Sequence, residues 1–142
     1  MFREDAEIIR IGEGLMAAAL PRAEWNHGAH FAAALWLLRH RPELDAAAAM
    51  AAMIRAYNEV SGVANSDSSG YHETITLASL RAARGVHDFN PPDMPLFHIA
   101  NAILASNLAN PNWLLEYWSR DRLMSVAARH AWLDPDLKPL PF

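Results

Sequence analysis

Glu24-Trp25-Asn26-His27-Gly28-Ala29-His30-Phe31-Ala32-Ala33-Ala34-Leu35-Trp36-Leu37-Leu38 is the stretch on which the fold turns. Its second half is continuously apolar. Phe31, Ala34, Leu35 and Leu38 recur at steps of three and four, the mark of one face of an α-helix, and Trp36 and Leu37 widen that face. Its first half is polar, and places a carboxylate and two imidazoles three residues apart on what reads as the opening turns of the same helix. Pro21 suits the start of that helix, because the first turn has no use for its missing N–H. Arg39, His40 and Arg41 suit its end, where positive charge meets the negative pole of the dipole. The helix is therefore expected over about 22–40, closed by Pro42.

Working outward, the spacing predicts helices over about 4–19, 43–60, 71–84 and 96–108, then short segments around Trp113–Trp118 and 120–129. Gly12 and Gly14 weaken the first by roughly 1 kcal/mol each. Gly62 is a fitting stop for the third. Asn65-Ser66-Asp67-Ser68-Ser69-Gly70 is a turn-forming run, with Ser68 or Ser69 the expected N-cap of the fourth. No stretch alternates as a strand would. The expectation is all-α: one helical bundle of about five to seven helices over 1–142, with an extended proline-rich tail over about 132–142. Leu137, Leu140 and Phe142 of that tail are expected to lie against the body or a second copy, which makes a homodimer a candidate assembly.

Composition narrows the function. The net charge of −4 and a single lysine, Lys138, give no case for nucleic acid or an anionic membrane. The absence of cysteine rules out thiol catalysis, disulfides and cysteine zinc sites. The early acids of Met1-Phe2-Arg3-Glu4-Asp5 do not read as a secretory signal, so a soluble, cytoplasmic protein is expected.

Short connections make successive helices antiparallel. The start of the second helix, the end of the third and the start of the fourth then share one end of the bundle. That end collects Glu24, His27 and His30; Tyr57, Asn58 and Glu59; and Tyr71, His72 and Glu73. The functional reading is a mononuclear divalent metal site of His27, His30 and His72. Glu73, Glu59 or Glu24 would serve as further ligand or base, and Trp25, Tyr57, Asn58 and Tyr71 would line the substrate. Zinc, iron, nickel and manganese all accept such donors. This points to a metal-dependent enzyme acting on a small molecule, a hydrolase, transferase or lyase. The alternative is a non-catalytic binding or homodimeric module whose polar end is a structural network. In that reading Glu73 and Glu24 are first-turn acids favoured by the dipole, and the tryptophans are core. His40, His130 and the pair His87-Asp88 read as helix-end partners in either case.

The pair of motifs Trp25-x-His27-x-x-His30 and Gly70-Tyr71-His72-Glu73-Thr74-x-Thr76 resembles a largely uncharacterised family of small bacterial proteins. The likeness extends to Arg55-x-Tyr57-Asn58 and Asp134-Pro135-Asp136-Leu137. In architecture alone the chain is also similar to the DinB-like helical bundles, whose usual histidine spacing it does not reproduce. That second likeness implies a metal held by histidines from different helices.

Overall fold

The computed structural model describes residues 1–142 and is helical throughout, with no strand. The helices are α1 (Asp5–Met16), α2 (His27–His40), α3 (Ala46–Val60), α4 (Glu73–Phe89), α5 (Leu96–Leu104), α6 (Arg120–Leu123) and α7 (Val126–His130). Single 3-10 turns occupy Arg22–Glu24, Asn107–Ala109 and Trp113–Glu116. No helix is long and apolar enough to cross a membrane.

The apolar stretch behaves as its pattern requires. Phe31 to Leu37 are all buried, and α2 packs against α1, α3, α4 and α5. Its most extensive packing is with α1, and it depends on Gly12. A Cβ there would fall within the indole of Trp36, so only glycine lets the two helices meet. The penalty that Gly12 carries in helix propensity is thus the condition for burying Trp36.

The start of α2 differs from expectation. The helix begins at His27, not near residue 22, because Asn26 is extended and its side chain accepts from Ala29 N–H at 3.0 Å. Glu24 lies in the preceding 3-10 turn, so the Glu24-x-x-His27 spacing is not read along one helix. Its carboxylate instead pairs with Arg10 of α1 in a bidentate contact. The third helix is shortened in the same way, since the Asp45 carboxylate caps it by accepting from Ala48 N–H at 3.1 Å. Its other end closes as expected. Gly62 has φ +78°, with Gly62 N–H on Glu59 O and Val63 N–H on Asn58 O, a Schellman closure.

Helix α4 runs through Gly85 to Phe89, beyond the expected end, and its N-cap is neither Ser68 nor Ser69 but His72. The segment expected over 120–129 is two short helices, because the Ser125 side chain caps a new start by accepting from Ala128 N–H at 3.1 Å. The fifth helix ends at Leu104, and a Ser106-capped 3-10 turn follows it.

The tail folds back on its own chain. Leu137 N–H donates to Tyr117 O at 2.9 Å, and the Asp136 carboxylate accepts from Ser119 N–H and Oγ at 2.7 and 2.6 Å. The indole of Trp118 donates to Leu133 O at 2.9 Å, and Phe142 packs on Trp113. These contacts hold the tail on its own chain and pack Leu140 against the core, while Leu137 at 57% and Phe142 at 39% stay exposed.

Candidate functional site

The expected helix ends do converge. Trp25, at the entrance to α2, meets Tyr57 of α3 edge-on with centroids 5.7 Å apart, and the Tyr57 hydroxyl donates to Leu20 O at 2.8 Å. His30 of α2, Ile54 of α3 and Gly70, Tyr71 and Ile75 around the start of α4 line one cavity. These groups therefore share one end of the bundle, as the antiparallel order of the helices requires.

The three imidazoles do not form a ligand set. No three His, Cys, Asp or Glu side chains come together as a group able to hold a metal ion. The reason is visible ring by ring. His72 is 7% exposed, and its Nε2–H donates to Leu123 O at 2.8 Å. Its Nδ1 accepts from Ile75 N–H at 3.2 Å, so both nitrogens are used within the protein. His27 Nε2–H donates to Leu108 O at 2.7 Å and the ring stands edge-on to Phe31. His30 Nδ1–H donates to Asn26 O at 2.8 Å, and the ring stacks on Trp25 with centroids 3.8 Å apart. Each imidazole answers to a different backbone group, and a metal on His72 would have to displace a helix cap. The residues present do not fit the ion expected from their spacing.

The second motif is instead a clasp. Beside His72, the Thr74 hydroxyl is fully buried, lies 2.7 Å from Ala128 O and 2.9 Å from Ala131 O, and accepts from Leu133 N–H at 3.2 Å. Glu73 sits at the first position of α4 and accepts from the Tyr71 hydroxyl at 2.6 Å. Burial, and then this bond to Glu73, push the Tyr71 phenol well above its ordinary pKa. Asn58 donates through Nδ2 to Asn65 Oδ1 at 3.0 Å, and that same oxygen accepts from Tyr71 N–H. Asn58 and Asn65 thus brace the loop between α3 and α4. Glu59 is exposed at the end of α3 and lines neither cavity described here.

What the end of the bundle does hold is a pair of adjoining cavities. One, of about 220 Å³, lies between α2, α3 and α4 and is walled by Ala34, Met50, Ile54, Tyr71, Ile75 and Leu80. The other, of about 270 Å³, is bounded by Trp25, His27, Phe31, Trp113 and Leu114. His30, Ile75 and Ser79 belong to the walls of both. Ser79 drew no attention in the sequence, since a lone serine within an amphipathic helix carries no local signal.

His30 is the polar centre of this cleft. Burial lowers its pKa, opposed by the bond to Asn26 O and reinforced by the nearby His27. A neutral ring with Nδ1–H committed to a carbonyl must present a lone pair at Nε2. That nitrogen makes no hydrogen bond in the protein. Nor is it sealed: the enclosed polar side-chain atoms without a partner are Arg39 Nη2 and Trp113 Nε1. The cleft therefore offers an oriented, accessible acceptor at His30 Nε2, and its other polar wall residues are Tyr71, His72, Thr76 and Ser79 in the first cavity and Asn26, His27 and Ser79 in the second. Comparison of the chain with family models, with curated proteins and with solved structures finds no match.

Proposed function

We propose that this protein binds a small, largely apolar molecule in the cleft around His30. The observation that supports this most directly is the state of His30 itself. Its tautomer is pinned by Asn26 O, its free Nε2 has no protein partner, and its ring stands on the walls of two cavities at once. Apolar walls with a few convergent polar groups are the common build of a ligand site. Each cavity alone, at about 220 and 270 Å³, lies a little below the usual volume for such a site, which sets the ligand as a small one. Trp25, stacked on the imidazole, fixes the ring plane and would hold the acceptor in place without rearrangement on binding.

The reading is tested by screening a fragment library by NMR against protein labelled at histidine and methyl groups. Hits should move the His30 ring and the Ala34, Ile54 and Ile75 methyls together. Ser79→Leu, which puts a larger apolar side chain on the shared wall, should abolish those hits while leaving the melting temperature close to wild type. Hits confined to other surfaces, no hits at all, or hits indifferent to Ser79→Leu would each sink the proposal.

A further inference from the structure

We propose that the ligand of this cleft is an uncharged amide, a carboxamide or lactam on an apolar body, with its N–H donated to His30 Nε2 and its carbonyl oxygen accepting from the Ser79 hydroxyl. The inference rests on the reading of the cleft as a ligand site.

Charge comes first. No Asp, Glu, Lys or Arg stands on the wall of either cavity. An ionic head group would lose its water there and meet no counter-charge, a cost that apolar contact does not recover. His30 supplies none, since burial favours its neutral form.

Hydrogen-bonding complement comes second. His30 presents only a lone pair, so the group opposite it must donate. Ser79 of α4 lines both cavities together with His30, and its hydroxyl makes no hydrogen bond within the protein. A hydroxyl donates as readily as it accepts. The ligand thus needs a donor for one wall and an acceptor for the other. An alcohol must do both through one oxygen. His30 and Ser79 lie on different helices with no hydrogen bond between them, so two neighbouring atoms serve them better. An amide carries such a pair in one neutral, planar group. The apolar body would occupy the space between Ala34, Met50, Ile54 and Leu80.

The test is a titration of the whole protein with benzamide, benzoate, benzylamine and benzyl alcohol, followed through the His30 ¹⁵Nε2 resonance. Benzamide is expected to give a saturable shift and to bind at least about tenfold more tightly than benzoate or benzylammonium. Ser79→Ala keeps the helix, alanine being the better helix former, and should weaken benzamide about fivefold to tenfold, the worth of one hydrogen bond. Benzoate, benzylammonium or benzyl alcohol binding as tightly as benzamide overturns the assignment of the class. So does a benzamide affinity unmoved by Ser79→Ala. If fragments from the screen above move His30 while benzamide does not, the amide is wrong and the cleft stands. If nothing moves His30 in either experiment, both fail.

Discussion

Both ring nitrogens of His72 are committed to the backbone. The ring caps α4 through Nδ1 and holds Leu123 O through Nε2. Replacing it with alanine removes the cap and leaves a buried carbonyl unpaired, a loss of about 2–3 kcal/mol. His72→Asn can cap but not reach Leu123, so it should recover about half of that loss. Urea denaturation of the three proteins checks the order, and an unchanged His72→Ala midpoint would refute the clasp. The ring must also be neutral, because a proton on Nδ1 would oppose Ile75 N–H. Burial and the charge of Arg129 lower its folded pKa below 6.5, and burial lowers that of His30. The unfolded chain takes up both protons as pH falls through 6.5, while the folded chain does so only at lower pH. Stability is thus whole above 6.5, declines as pH falls through the window, and levels off below the folded values. Urea midpoints between about pH 7.5 and 5 should trace that decline, with a shallower slope in His30→Gln.

At the scale of elements, the most demanding contact is between α1 and α2. Gly12→Ala should be favourable for an isolated helix by about 1 kcal/mol. Here the new methyl would meet the indole of Trp36, and overpacking costs about 1–3 kcal/mol. The net expectation is a melting temperature lower than wild type, read by calorimetry. A more stable variant would mean that α1 can slide away from α2 at little cost. The same contact shows what was legible in the chain. The period of Phe31, Ala34, Leu35 and Leu38 fixes a helix, and Gly12 registers only as a weak position until its neighbour is known. Helix starts were the least legible feature. Asn26, Asp45 and Ser125 each cap a helix a few residues inside or after the apolar pattern, and periodicity does not see caps. His72 was harder still, because imidazole is an uncommon cap and competes in the reading with its role as a ligand.

At the scale of the molecule, chain order and short connections were enough to bring the ends of α2, α3 and α4 together. They were not enough to say which way each ring faces. Three histidines at one end of a bundle have the composition of a metal site. Whether they become one depends on which backbone carbonyls lie within reach, and Leu108 and Leu123 belong to segments distant in sequence. Those two carbonyls, with Asn26 O, draw the rings onto separate partners, although all three rings still stand on a cavity wall, His72 on the first, His27 on the second and His30 on both. This has a direct consequence for metal dependence. An ion that binds the folded chain and not the unfolded one raises the melting temperature by mass action. With no three donors grouped, stoichiometric zinc should give no such rise, and prolonged dialysis against a chelator should give no fall. Both are read by differential scanning fluorimetry on protein purified without a histidine tag. A saturable rise at one equivalent, abolished in His30→Ala and His72→Ala alike, would show that the rings leave their carbonyls for a shared ion. The α4 cap would then be exchangeable, and the geometry of the cleft would have to be redrawn around the metal.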